Sequence, residues 1–262
     1  GHEALVAPVL QIRLLPFALP GHDFQGVAVT SSNGVRALST VLAGRHDAAQ
    51  WRQRRVYAVG GRTAQAAHEA GFVNVLAPQR TGGVGVLAEF ITSDADPRKG
   101  PLLYVSGRDV AGDLAGELSA RNFSVTQVTG YAADAVKELS SNARKALVDG
   151  TAGAVLFYSA RSASAFFEAT SEIHGKIRDT DVRFLCLSPG VAAMMPETIV
   201  CERVSVAKLP EESALLDLLD AAAGGGSRIQ VAVTAGETYT VTATIKALSG
   251  SRAIGITPIF YH

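Results

Sequence analysis

Two distant stretches of this chain repeat the same order of residue types. "VAVTSSNGV" around Ser31 matches "VLFYSARSA" around Ser159, and "VYAVGGRTAQAA" around Gly60 matches "FLCLSPGVAAMM" around Ser188. The spacing is 128 positions in both cases (159 − 31 and 188 − 60). A third match, "VNVLAPQ" to "VSVAKLPEE", follows at a slightly larger offset. Each unit opens as an apolar run, breaks at Ser or Gly, and continues at helical spacing. Such a repeat predicts two similar lobes rather than one large sheet.

From Val27 to Ala223 short apolar runs alternate with helical patterns, the signature of parallel strands covered by helices. Strands are expected at "VAVTS", "VYAVG", "VNVLAP", "LLYVSG", "SVTQVTGYA", "AVLFYS", "RFLCLS" and "VSVAKLP". Val35, Leu38 and Leu42, and again Val110, Leu114 and Leu118, predict helices that lay one face on a sheet. The fold class is therefore α/β, with lobes of parallel sheet flanked by helices. Two lobes of this kind hold ligands at the carboxyl ends of their strands, in a cleft between them.

Residues 1–22 read as the start of lobe 1 and a first connection, 23–124 as lobe 2, 125–149 as the return connection and 150–223 as the rest of lobe 1. "APVLQIRLLPFALPG" and "SVTQVTGYAADAV" are the two crossings, expected to lie antiparallel as a hinge. At 224–262 the character changes. Gly224, Gly225, Gly226 and Ser227 read as a flexible linker, and a Thr, Val and Ile-rich tail of period two reads as a few β-strands that are a separate small element, part of another fold or a fused segment.

Twenty-four basic residues balance 24 acidic ones without a basic stripe, which argues against a nucleic-acid partner. No apolar run reaches the roughly 20 residues needed to span a bilayer, and no signal peptide opens the sequence. Cys186 and Cys201 have no metal-ligand spacing and are expected to be reduced, which points to the cytoplasm. The six histidines do not cluster, and neither paired catalytic carboxylates nor a Ser/His/Asp spacing is present, so metal and nucleophile mechanisms have no support.

What remains are the strand-to-helix turns. The first helical N–H groups lack helical partners and carry partial positive charge, so a helix start can hold a carboxylate. The candidate turns bring Thr30, Ser31 and Ser32; Gly60, Gly61, Arg62 and Thr63; Ser106, Gly107 and Arg108; Tyr158, Ser159, Ala160 and Arg161; and Ser188, Pro189, Gly190 and Val191. Small residues would admit a ligand to the backbone. Arg62, Arg108 and Arg161 could form ion pairs with an anionic ligand. The plainer reading makes the hydroxyls and glycines caps and turns, the arginines solvated, and Tyr104 and Tyr158 packing residues. Asp109 and Glu212 read as helix-start charges.

The ordered set "VAVTSSNGVRAL", "VYAVGGRTAQAAHEAGF", "LLYVSGRDVAGDLAGELSARNFSVTQVTGYA", "VLFYSARSASAFFE", "FLCLSP" and "VAKLPEESALLDLL" resembles the uroporphyrinogen-III synthase family over about residues 1–223. The resemblance implies a monomeric, cytoplasmic, cofactor-free enzyme of tetrapyrrole synthesis, with two α/β lobes joined by a two-stranded ladder. It implies closure of linear hydroxymethylbilane to uroporphyrinogen III, with loss of water and inversion of ring D. Loss of the hydroxyl gives an azafulvene, and attack by the substituted carbon of ring D gives a spiro intermediate. The uncatalysed chain closes to the type I isomer, so holding one folded conformer is the main task. Tyr131, in "VTGYAAD", matches a family tyrosine proposed to assist departure of the hydroxyl; its plainer role is packing at a strand end.

Two departures stand out. Family members usually begin with a further strand and helix, "LVTRP"-like, ahead of "GHEALVAPVL"; that strand belongs to the lobe of the C-terminal half, whose sheet is therefore expected to be incomplete. Some members carry Thr after the Pro of "LSPGVAAMM", where this chain has Gly190 and Val191. The alternative from a different class is a two-lobed binding or sensor domain for an anionic ligand. A nucleotide site at "GGVGVL" is neither a dinucleotide fingerprint nor a Walker loop.

Overall fold

The computed structural model describes residues 3–21, 23–80, 83–110, 112–199, 201–222 and 230–234. The linker residues Gly224 to Ser227, the tail beyond Thr234 and Gly82 of "GGVGVL" lie outside them. In chain order the elements are β1 (Glu3–Val6), β2 (Leu10–Leu14), β3 (Gly26–Val29), α1 (Ser32–Leu42), α2 (Ala48–Arg52), β4 (Arg55–Ala58), α3 (Gly61–Glu69), β5 (Asn74–Leu76), α4 (Gly83–Asp94), β6 (Leu102–Gly107), α5 (Leu114–Ser119) and β7 (Val125–Ala135). They continue with α6 (Ser141–Val148), β8 (Ala152–Phe157), α7 (Ala160–Ala169), α8 (His174–Arg178), β9 (Arg183–Cys186), α9 (Pro189–Ala192), β10 (Val204–Val206), α10 (Glu212–Ala222) and β11 (Gln230–Thr234). The chain divides into two compact units, Ile12–Ala133 and Gly1–Gln11 with Asp134–His262.

The first of these units is built on a sheet of order β2-β7-β6-β3-β4-β5, in which β3, β4, β5, β6 and β7 pair in parallel. Alternate residues of a strand face opposite sides, and both sides are covered here. Val27 and Val29 pack with Val35, Leu38 and Leu42 of α1, while Ala28 packs on the other face with Leu87 and Ile91 of α4. The Val35, Leu38 and Leu42 stripe is therefore a core face, as its spacing predicts. The second stripe is shorter than expected. Asp113 accepts from Gly116 N–H at 2.8 Å and starts α5 at Leu114, leaving Val110 outside the helix and 47% exposed.

The other unit has the sheet order β1-β11-β8-β9-β10, all parallel. Val155 and Phe157 face a core with Phe166 and Phe184, and Ala154 and Leu156 face Leu185, Leu215 and Leu219. Cys186 is buried, Cys201 exposed, and both are free thiols; burial pushes the Cys186 thiol up to about 12. β1, not anticipated as a strand, forms the sheet edge. Of the tail, residues Gln230–Thr234 enter this sheet as β11 between β1 and β8, so the sheet expected to be incomplete has in its interior a strand that follows α10 in the chain.

β2 and β7 are neighbours, and the hydrogen bonds Val136 N–H to Val9 O (3.0 Å) and Leu15 N–H to Gly130 O (2.8 Å) have the antiparallel pattern. These strands are the two crossings read from the sequence. No helix among the described residues is long and apolar enough to cross a membrane.

Candidate functional site

In each unit the chain leaves the carboxyl ends of adjacent parallel strands and turns into a helix. Ser31 is the N-cap of α1 at φ −153°, ψ 150°, and Ser159 is the N-cap of α7 at φ −148°, ψ 153°. Gly60 caps α3 at φ −177°, ψ 178°, and Ser188 caps α9 at φ −154°, ψ 164°. The match extends to the backbone: Val59 N–H donates to Val29 O at 3.1 Å, and 128 positions on, Leu187 N–H donates to Phe157 O at 3.0 Å. The repeat in the sequence is thus a repeat of capped helix starts.

The caps differ in chemistry. Ser31 Oγ accepts from Asn33 N–H at 3.1 Å, which uses a lone pair and leaves its proton to donate. Ser159 Oγ accepts from Ser162 N–H at 3.1 Å and donates to Ser162 Oγ at 3.0 Å, while the Ser162 hydroxyl donates to Ser159 O at 2.9 Å. Gly60 and Ser188 place no side-chain hydrogen bond on their helices. Among the described residues a Cβ at Gly60 or Gly61 would meet nothing within 4 Å. A Cβ at Gly190 would approach only Ser188 Oγ, at 3.9 Å. Thr63 and Val191 are buried in the first turns of their helices; Ala160, the first residue of α7, is half-buried.

The fifth turn departs from the pattern. Ser106 is completely buried, its hydroxyl donating to Val128 O at 3.4 Å and accepting from Gln127 Nε2 at 3.0 Å. No helix starts at Arg108 or Asp109; they face each other at 3.8 Å, and α5 begins only at Leu114. Gly107 is small for the protein's own reasons: an added Cβ would lie 2.9 Å from Cε2 and Cζ of Tyr131 and 3.1 Å from its hydroxyl. Tyr131 is 3% exposed, stands opposite Gly107 in the β6–β7 ladder, and its carbonyl accepts from Arg108 N–H at 2.8 Å. Arg62 and Arg108 are exposed and Arg161 half-buried.

Two buried tyrosines read as packing residues also carry polar partners at these edges. The Tyr104 hydroxyl lies 3.2 Å from Thr30 Oγ1, fixing the residue before the Ser31 cap. The Tyr158 hydroxyl donates to Glu212 Oε1 at 3.2 Å. Burial, and then the Glu212 charge, push its ionisation far above the usual range, so it is a neutral donor. Glu212 heads α10, as its reading as a helix-start charge anticipates.

Asn33 was not singled out by the sequence. It is 2% exposed in the first turn of α1; its Oδ1 accepts from Arg36 Nη1 at 3.4 Å, and its Nδ2 finds no acceptor among the described residues. A polar residue on the buried side of an amphipathic helix was the available signal.

These features define a class: a two-unit α/β protein of doubly covered parallel sheets whose strands end in capped helix starts. The model of the family described as uroporphyrinogen-III synthase HemD matches residues 1–240. The chain belongs to the uroporphyrinogen-III synthase family, whose members are enzymes of haem biosynthesis. Among solved structures, uroporphyrinogen-III synthetase from Helicobacter pylori 26695 is similar at TM-score 0.59 and 18% identity, over 84% of this chain and 99% of that one. Uroporphyrinogen III synthase from the extremely thermophilic bacterium Thermus thermophilus aligns at 20% identity over 76% of this chain and 77% of its own, with TM-score 0.36. No curated protein matches.

Proposed function

We propose that this synthase closes hydroxymethylbilane by presenting its helix starts to the substrate's carboxylates, so that one folded conformer is held while ring D is attacked through its substituted carbon. The observation that carries the reading is the shared backbone geometry of the Ser31, Gly60, Ser159 and Ser188 caps, each at the carboxyl edge of a parallel sheet. Each unit offers its own set of turns to carboxylates of the bilane.

The closure is redox-neutral. The terminal C–O bond breaks and hydroxide leaves with a proton as water; the substituted carbon of ring D supplies the electrons of a new C–C bond to give the spiro intermediate. Its bond to the neighbouring bridge carbon then breaks, that bridge carbon bonds the unsubstituted carbon of ring D, and the proton lost there balances the one taken by the water. No electron carrier is needed, and the protein's contribution is orientation of the reacting rings. Ser31 can donate its hydroxyl proton to a carboxylate while still capping α1. Arg62, Arg108 and Arg161 supply charge at three of the turns. Tyr131 acts as the proton donor to the departing hydroxyl, from a ring seated on Gly107 beside the Ser106 to Arg108 turn. We place the enzyme in the cytoplasm as a monomer.

The test is to supply hydroxymethylbilane and resolve the products by isomer. Type III product above the spontaneous rate is expected; type I alone, at the uncatalysed rate, rejects the reading.

A further inference from the structure

The 128-residue repeat relates the two sheets strand by strand. β3 corresponds to β8 and β4 to β9, and the remaining neighbour of β3 is β6, with Gly26 opposite Leu102 and Val29 opposite Val105. On the corresponding side of β8 stands β11, with Ala154 opposite Val231 and Phe157 opposite Thr234. Because Gly26 corresponds to Ala154 and Val29 to Phe157, Thr234 takes the register position of Val105. The correspondence continues outward, for β7 pairs in parallel with β6 and β1 pairs in parallel with β11. β11 therefore fills in its unit the interior place that β6 fills in the other, although it reaches that place from beyond α10.

The location has consequences for the turns. Among the described residues β1 pairs in the sheet with β11 alone, and β8 depends on β11 for one of its two ladders. Withdrawing β11 would leave the Glu3–Val6 backbone unpaired on that side and turn β8 into an edge, exposing donors and acceptors that otherwise satisfy each other. Phe157, opposite Thr234, is followed directly by Tyr158 and the Ser159 cap. Chain length permits the crossover: seven residues (223–229) separate Ala222 from Gln230 and can reach about 23 Å, against about 15 Å for the three strand spacings between β10 and β11 in the sheet.

We propose that the tail segment Gln230–Thr234 is a working part of this enzyme, inserted between β1 and β8 as the counterpart of β6 to fix the Tyr158–Ser159 turn for the substrate. The last clause rests on the synthase reading; the insertion itself does not.

The experiment uses the full chain with a specific protease site placed among Gly224, Gly225, Gly226 and Ser227, so that the protein folds before it is cut. Closure of hydroxymethylbilane, thermal melting and site-resolved amide exchange are compared before and after cleavage, with gel filtration to show whether the fragments part. Retention of the tail fragment after cleavage supports the insertion. Release of the fragment supports it as well if amides of Val155, Leu156 and Phe157 lose protection while those of Val27, Ala28 and Val29 keep theirs, and if KM for the bilane rises at least tenfold. Release with protection, melting and KM unchanged overturns the proposal. In the uncut chain, Ala232→Pro removes one ladder N–H and should selectively weaken protection in β1 or β8; unchanged exchange in both strands would likewise overturn it. If the uncut wild-type chain gives only type I product, the synthase reading fails while melting and exchange still decide the place of β11.

Discussion

Gly107→Ala tests whether this glycine serves the fold or the ligand. The new Cβ would lie 2.9 Å from Cε2 and Cζ of Tyr131, where carbon atoms normally rest at about 3.5–4.0 Å. The ring must retreat by about 0.6 Å or more, yet Tyr131 is 3% exposed and its backbone is held by the Arg108 N–H bond at 2.8 Å. Overpacking of this kind costs about 1–3 kcal/mol, near the lower figure if the ring tilts alone and near the upper if β7 shifts with it. For a unit of this size that corresponds to a fall in Tm of about 3–15 °C. Denaturant unfolding and calorimetry would measure it, beside Tyr131→Ala and the double variant. Tyr131→Ala is costly alone, by about 3–5 kcal/mol for loss of a buried ring, but it removes the clash. In that background Gly107→Ala should cost within about 0.5 kcal/mol of nothing, giving a coupling of about 1–3 kcal/mol. A neutral Gly107→Ala, or one equally costly without the ring, would refute the packing argument and return Gly107 to the ligand.

Replacing Ser31 by Ala removes the acceptor for Asn33 N–H and should cost about 1 kcal/mol in denaturant unfolding; Ser159→Ala should cost a similar amount through Ser162 N–H, and each should raise KM for the bilane. Lost stability with KM unchanged in both would make these serines caps only. Tyr131→Phe keeps the ring against Gly107 and should slow type III closure by about 10–100-fold, the modest end of general-acid effects; an unaltered rate removes its hydroxyl from the mechanism. Burial and then the hydrogen bond to Asp94 Oδ2 at 2.7 Å push Tyr57 up to about 12, so between about pH 10 and 12 the unfolded state ionises while the folded one keeps its proton. Stability present below pH 10 should decline across that window, less steeply in Tyr57→Phe; an identical alkaline slope in the variant would contradict it.

Much of the fold was legible because its signals are local. Val35, Leu38 and Leu42 are one turn apart and share a face, so their core role followed from spacing. Ser31 and Ser159 were legible as caps since an apolar run, a hydroxyl and a helical pattern stand consecutively. The same logic failed at Ser106, where the hydroxyl is spent on Val128 and Gln127 and no helix follows at once. It failed again at Val110, because the cap that starts α5 is Asp113. Short-range pattern shows that a turn exists; it does not show what lies across from it.

The sequence by itself determined the order of strands β3 to β10, the two-fold repeat and the positions of four capped turns, all set by residues within a few positions of one another. The tertiary structure alone decided which chain segments became neighbours. Gly107 meets Tyr131 across a parallel ladder, Tyr158 meets Glu212 at the head of α10, and β11 enters between β1 and β8. An apolar strand of period two satisfies its own side-chain pattern in many sheets, but its backbone donors and acceptors are satisfied only where a vacant ladder of the right register exists, and that vacancy belongs to the folded chain.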